Sequence, residues 1–276
     1  MVIYDYIGKY CIINHETKMI GELNIIKAGK IVYEVVRIVN RVPLFLEEHF
    51  LRLDKSVSLI GTHFIYDLEI IRADIEKLIS LEQLENCNVK IVTSVVDNFQ
   101  VIAIYLSKFY YPSIKEYSEG VYASLINIER ENPNIKKINT SYIDTIYKKV
   151  IETKAFEILL VNSRNEILEG SKSNIFFVKG EKVFTSPDDL VLKGITRSFV
   201  INICDRLGID LIQTVISINY LSNIEAVFLT GTSIKVLPIA KIENHSFSSA
   251  SNKIVVSILK KYDELINDYI VENNIK

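Results

Sequence analysis

The chain has little of what would tie it to a membrane, a metal or an oxidising compartment. Its three cysteines, Cys11, Cys87 and Cys204, are odd in number, widely spaced and without a C-x-x-C pair. That argues against a disulfide framework and a thiolate metal site, and for buried thiols in a reducing cytoplasm. No apolar run approaches the roughly 20 residues of a membrane helix. Asp5 and Lys9 interrupt the N-terminus, and Tyr10 to Ile13 is too short for the apolar core of a signal peptide. A soluble, cytoplasmic protein is therefore expected. Charge excess of either sign is also missing: 32 Lys and Arg face 34 Asp and Glu. Nothing draws the chain toward nucleic acid or an anionic membrane, and there is no basic recognition helix. Internal repeats and low-complexity tracts are absent.

What is present is ordinary for a globular protein: 49% hydrophobic and 24% charged residues over 276 positions, enough for one large domain or two modest ones. Ile31 to Val39 is rich in β-branched residues and reads as a strand, followed by a turn at Arg41-Val42-Pro43. Leu46 to Leu59 carries Leu46, Phe50, Leu53 and Val57 as one apolar stripe, so it reads as a helix. On it His49 and Arg52 are three apart and therefore neighbours. Asp67 is placed to cap a second helix, Leu68 to Ile79, with Ile70, Ile71, Ile75 and Leu78 inward. Asn88 to Val95 and Phe99 to Leu106 form a hairpin around Asp97-Asn98. Further on, Val121 to Ile128, Glu157 to Val161, Ile175 to Lys179, Lys182 to Thr185 and Leu211 to Ile216 read as strands. Ser141 to Ala155, Thr196 to Leu207 and Lys253 to Val271 read as helices.

Four motifs carry chemistry: IKKIN at Ile135 to Asn139, EGSKSNIF at Glu169 to Phe176, KGITR at Lys193 to Arg197 and LTGTS at Leu229 to Ser233. They supply an amine, a carboxylate and two turns suited to an anion. Gly194-Ile195-Thr196 opens a helix, so the N–H groups of Ile195 and Thr196 and the Thr196 hydroxyl can point at a phosphate. Gly231 allows close backbone approach, and Thr232 adds an N–H and a hydroxyl. If IKKIN is extended, Lys136 and Lys137 point to opposite faces and only one can enter a site.

In this order the motifs resemble those of the class IV aminotransferases, the fold type IV pyridoxal phosphate (PLP) enzymes. These include branched-chain and D-amino-acid aminotransferases and aminodeoxychorismate lyase. The resemblance runs from Val32 to Pro238. It implies an α+β fold: a small N-terminal sandwich-like α+β domain (1–112), a crossover (113–120), and a large C-terminal PLP-binding domain (121–276) built on a pseudo-barrel sheet with helices. It implies PLP as cofactor, an amino acid and a 2-oxo acid as substrates, and a homodimer. Lys136 fits the family's Schiff-base lysine, with Lys137 as its rival. Glu169 matches the acid that meets the pyridine nitrogen, and Arg52 matches the arginine that forks onto the phosphate. Ile195, Thr196, Gly231 and Thr232 match the phosphate cradles, and Ser173 and Asn174 fall among the cofactor's partners. Tyr33, Lys172, Ser233 and Arg37 fall on the substrate side, Arg37 with no defined role. His49 is expected to orient its helix rather than to catalyse.

The chain departs from the family at four places. Lys27-Ala28-Gly29-Lys30 replaces the usual Gly-Asp or Tyr-Gly turn. Val95 to Phe99 lacks the Arg-x-His pair of D-amino-acid enzymes. The tyrosine that follows the lysine motif is displaced by two, to Tyr142. Lys172 stands where relatives often carry Ser, Thr or Arg. The expected activity is amino transfer between an aliphatic L-amino acid, of the branched-chain kind, and a 2-oxo acid. The alternatives are a lyase releasing pyruvate and an aromatic amine, and a PLP-binding relative without turnover.

Overall fold

The computed structural model describes residues 5–25, 29–96 and 99–274. The expected turn at Asp97-Asn98 and the departure at Lys27-Ala28 lie outside the described residues. The chain forms two compact units. The first comprises Met1–Phe109, Ile135–Thr140 and Ile266–Lys276; the second comprises Tyr110–Asn134 and Ser141–Leu265. The expected partition was contiguous, and the structure groups IKKIN and the chain end differently.

The first unit is a six-stranded sheet backed by two helices. Its strands are β1 (Tyr6–Ile13), β2 (Glu16–Met19), β3 (Lys30–Val39), β4 (Val42–Pro43), β5 (Cys87–Val96) and β6 (Phe99–Ser107), in the order β2-β1-β6-β5-β3-β4. Helices α1 (Leu46–Leu59) and α2 (Leu68–Leu81) lay Leu46, Leu53, Val57, Ile71, Ile75 and Leu78 on Val32, Val36, Ile38, Val89, Ile91 and Ile104. Each such side chain contributes roughly 1.5–3 kcal/mol by leaving water. Asp67 caps α2 by accepting from the Glu69 and Ile70 N–H groups. Ile70 does not point inward as expected; it is exposed, because the buried stripe is carried by Ile71, Ile75, Leu78 and Ile79.

Pro43 corrects a second expectation. Asn40 and Arg41 both have positive φ (49° and 67°), which makes a two-residue hairpin. Pro43 then pairs with Ile38 as an edge strand, where its missing N–H is tolerated. Because β4 covers only Ile38 and Val39, the other end of that edge of β3 stays open. IKKIN fills it: Tyr33 N–H donates to Lys136 O (3.0 Å), Ile138 N–H donates to Ile31 O (3.1 Å), and Val32 bridges Lys137. Ile135 joins the core of this unit.

The second unit is a curled mixed sheet. It comprises α3 (Ile114–Glu119), β7 (Val121–Asn127), α4 (Thr140–Thr153), β8 (Glu157–Val161), β9 (Glu166–Gly170), β10 (Asn174–Lys179), β11 (Lys182–Thr185), α5 (Ile195–Arg206), β12 (Asp210–Gln213), β13 (Ile216–Ser217), β14 (Ala226–Gly231), β15 (Lys235–Ile242), β16 (His245–Ser246) and α6 (Lys253–Asn274), whose residues from Ile266 on group with the first unit. The strand order is β12-β11-β10-β14-β15-β7-β8-β9-β13, with β16 on β15. The β15–β7, β7–β8 and β11–β12 pairs are parallel and the others antiparallel. The single strand expected over Leu211 to Ile216 is two strands, β12 and β13, at opposite ends of the sheet. α4 has the expected helical spacing, but none of its residues is buried within the chain. Burial pushes the three thiols up, to about 11 for Cys11 and Cys87 and about 12 for Cys204, so all three stay protonated.

Candidate active site

In the first unit the chemistry starts from one acid in a strand. Alternation along β3 turns Val32, Glu34, Val36 and Ile38 toward α1 and α2, so Glu34 is carried into the core with no exposure. Such a carboxylate must be matched. Arg52 forks onto it, Nε to Oε1 at 2.7 Å and Nη2 to Oε2 at 2.6 Å, and His49 Nδ1 meets Oε2 at 2.7 Å. Burial pushes the Glu34 carboxyl up. The Arg52 charge and the hydrogen bonds from Arg52 and His49 outweigh that and hold it at about 2. An ionised Glu34 only accepts, so His49 carries its proton on Nδ1. Burial drives the His49 imidazole below its usual range, against the pull of Glu34 and with help from the charges of Arg52 and Lys136. His49 therefore sits as a neutral positioning residue, and one edge of the Arg52 guanidinium is spent on Glu34.

The opposite face of β3 carries Tyr33 and, four residues on, Arg37. Lys136 Nζ lies 5.0 Å from the centre of the Tyr33 ring, and Lys90 Nζ lies 4.9 Å from it. Both contacts are in cation–π range. Lys90 is itself paired with Asp5 at 3.0 Å. The structure thus brings Lys136 and Tyr33 together on one side of β3, and Arg52 and His49 together on the other through Glu34.

In the second unit Glu169, near the end of β9, is 2% exposed. It accepts from Arg130 Nη1 (3.0 Å), Leu192 N–H (3.1 Å) and Asn174 Nδ2 (3.3 Å). The same Asn174 amide donates to Leu192 O (2.8 Å), so Asn174 aims the acid. Ser173, expected beside the cofactor, donates to the buried Glu157 (2.7 Å). The displaced Tyr142 donates its hydroxyl to Ser171 O (3.0 Å). Gly194 precedes α5 without a side-chain cap, and a Cβ there would overlap Asn174 Oδ1. That close approach explains the glycine. The N–H groups of Ile195 and Thr196 lie in the first turn, where helix geometry provides no partner. The Thr196 hydroxyl lies 3.2 Å from that of Tyr262. On β14, Thr230 stands directly opposite Asn174, is 1% exposed, and has a hydroxyl with no partner among the described residues. Gly231, Thr232 and Ser233 turn from β14 into β15, and a Cβ on Gly231 would lie 3.2 Å from Ile234 Cγ1.

A family model, amino-transferase class IV, matches residues 31–242. The chain belongs to the class IV aminotransferase family. The match opens at β3 and closes at the end of β15. A D-alanine aminotransferase of Bacillus licheniformis is 28% identical over 235 residues, covering 81% of this aminotransferase and 82% of its own length. A probable branched-chain-amino-acid aminotransferase of Aquifex aeolicus is 27% identical, covering 79% and 76%. An aminodeoxychorismate lyase of Bacillus subtilis is 22% identical over 87% of each chain. The crystal structure of a T.th. branched-chain amino acid aminotransferase complexed with N-(5'-phosphopyridoxyl)-L-glutamate shares the fold, with a TM-score of 0.82 at 18% identity over 96% of each chain. The α+β, fold type IV architecture of the aminotransferase is therefore established.

Three residues of these clusters were not singled out from sequence: Glu34, Glu157 and Arg130. The demand of a buried acid for donors was the available signal. Spacing could not say which arginine meets Glu169, because Arg130 lies in an irregular polar stretch. Among the described residues no group of His, Cys, Asp or Glu is placed to hold a metal, and no helix is long and apolar enough to cross a membrane.

Proposed function

We propose that this class IV aminotransferase moves an amino group between an aliphatic L-amino acid and a 2-oxo acid with PLP as its cofactor. The observation that carries the reading is Glu169: a buried carboxylate that accepts from Arg130, Asn174 and the Leu192 N–H, with Asn174 set between the start of α5 and the buried, unmatched Thr230 hydroxyl of β14. An acid for a ring nitrogen and donors for a phosphate are the chemistry this cofactor requires. When bound, PLP supplies an electron-withdrawing ring that accepts the electron pair of the substrate Cα–H bond.

The chain's own residues do the rest. Lys136 would hold the cofactor through its amine and, when displaced by substrate, carry the proton from the substrate Cα to the cofactor's C4′. Lys137 is the less suited of the pair, since Lys136 is the one stacked on Tyr33. Glu169 would keep the ring nitrogen protonated, with Asn174 fixing its direction. Arg52, aligned by Glu34, would bind the phosphate through its guanidinium. The N–H groups of Ile195, Thr196 and Thr232 would complete the phosphate site, and Gly231 would admit it. Tyr33 would wall the ring, and Arg37, Lys172 and Ser233 would face the substrate.

A homodimer is part of this reading. α4 exposes Tyr147 (65%) and Ile151 (59%) and buries nothing within the chain, as a helix covered by a second copy would. Three buried, protonated thiols support a reducing compartment, the cytoplasm.

The test is chemical. Borohydride reduction of the cofactor-saturated protein, then peptide mapping, labels Lys136. Label on Lys137, or none, refutes the assignment. A screen of L- and D-amino acids that follows bleaching of the cofactor's visible band identifies the donor; bleaching by D-amino acids alone refutes the stereochemical reading. The lyase relative defines the second reading, and pyruvate released without any 2-oxo acid present would favour it.

A further inference from the structure

β8 is buried along its whole length and apolar except for its first residue, the acidic Glu157, which is only 1% exposed. Its carboxylate accepts from Ile158 N–H (2.9 Å), the Ser171 hydroxyl (2.6 Å) and the Ser173 hydroxyl (2.7 Å). No cation pairs with it among the described residues. A carboxyl group buried without a cation is costly unless donors match it, so the three donors are what keep it there. What Glu157 does is shape the turn from Gly170 to Ser173. The two serines flanking Lys172 are drawn inward onto one carboxylate. The backbone is pinned as well: Gly170 N–H donates to Ser173 O (2.8 Å), Ser171 N–H donates to Ile158 O (2.8 Å), and Tyr142 holds Ser171 O. Gly170 has to be glycine, since a Cβ would overlap the Ser173 hydroxyl and lie 3.0 Å from Glu157 Oε2. Lys172 is the exposed crown of this turn and has no ion pair among the described residues. Its carbonyl lies 3.9 Å from where a Gly231 Cβ would stand, so the crown sits beside the Gly231–Ser233 turn.

We propose that Glu157 is a positioning residue whose clasp on Ser171 and Ser173 presents the Lys172 ammonium to the substrate. Lys172 is thereby the residue that selects, for one of the two substrates, a molecule with a second carboxylate on its side chain. This rests on the aminotransferase reading above. A cation held on a pinned turn loses little entropy when it pairs, whereas the same lysine on a loose turn would discriminate weakly.

The experiment compares 2-oxoglutarate with 2-oxohexanoate as amino acceptors in the holoenzyme, and follows hydrogen exchange at residues 170–173 in the same protein without substrate. In wild type the KM for 2-oxoglutarate is the lower. Lys172→Met moves the ratio of the two KM values roughly tenfold against 2-oxoglutarate, the worth of one charge-assisted hydrogen bond. Glu157→Ala speeds exchange at Gly170 and Ser171 and moves the ratio the same way, with KM changing more than kcat. Glu157→Gln, which folds more readily and keeps one acceptor, gives an intermediate ratio. In the Lys172→Met background, Glu157→Gln shifts the ratio no further. The proposal is overturned if Lys172→Met leaves the ratio alone, or if either Glu157 variant speeds exchange without moving it. A wild-type protein that aminates neither acid with any donor refutes the aminotransferase reading instead.

Discussion

Replacing Glu34 with Gln tests the charge logic of the first unit. The carboxyl is held at about 2, against 4.5 for an ordinary glutamate. A lowered folded-state value stabilises the fold fully above the ordinary value and loses that effect as pH falls through the lowered one. A gap of this size corresponds to about 3 kcal/mol at pH 7, with about 2 kcal/mol of it gone by pH 3. His49 adds a contribution of the same sign that begins to fade below about 6.5, since its imidazole is also lowered and must charge inside the core. The assay is urea unfolding of wild type and Glu34→Gln at pH 7, 4.5 and 3. At pH 7 the variant is weaker by about 3 kcal/mol or more, because Arg52 and His49 lose the charge they face. The gap narrows between pH 4.5 and pH 3. An equal gap at all three values would refute an ionised Glu34, and a gap that widens on acidification would reverse the sign.

Three further outcomes follow from the geometry. Lys136→Ala removes both the borohydride label and amino transfer, and Lys137→Ala retains both; the reverse pattern in peptide mapping would exchange their roles. Gly194→Ala drives a methyl into Asn174, disturbs the amide that aims Glu169, and weakens PLP binding by about tenfold or more in a spectral titration. Unchanged affinity would separate Asn174 from the site. Gly120→Ala has φ +81° and a Cβ 2.8 Å from the backbone N of Ala240, so it costs about 2 kcal/mol or more in thermal unfolding. A variant as stable as wild type would show that the backbone there yields freely.

The first unit was legible in sequence wherever one periodicity ran long enough. β3, α1 and the capped start of α2 needed only alternation, an apolar stripe and Asp67. Elsewhere a local rule met a tertiary override. β9 was not foreseen, because EILEG offers only two apolar residues and ends in an acid that the fold buries. β15 was hidden by Pro238, which ordinarily marks an edge; here it pairs with Phe228 inside the sheet, and the pairing with β7 shifts register next to it. The motif residues of the candidate site stood out in the sequence because each asks for an unusual residue type, a glycine against a side chain or a hydroxyl at a helix start. Their supporting partners were not, since Arg130 and Glu157 are ordinary residues in ordinary text.

Those partners share one physical pattern. Glu34, Glu157 and Glu169 are almost wholly buried, and each receives at least three donors. Two are neutralised by an arginine, and the third is met by hydroxyls and a backbone N–H alone. Hydrophobic replacement of an acid together with its charged partners would commonly be as stable or more so. What such replacements could not do is fix direction. A carboxylate with three donors has one orientation, and so do the groups bound to it: the Arg52 fork, the Asn174 amide and the Ser171–Ser173 turn. In this chain buried acids therefore act less as stabilisers than as jigs. The residues they hold are those on which the proposed binding of phosphate, ring nitrogen and substrate depends.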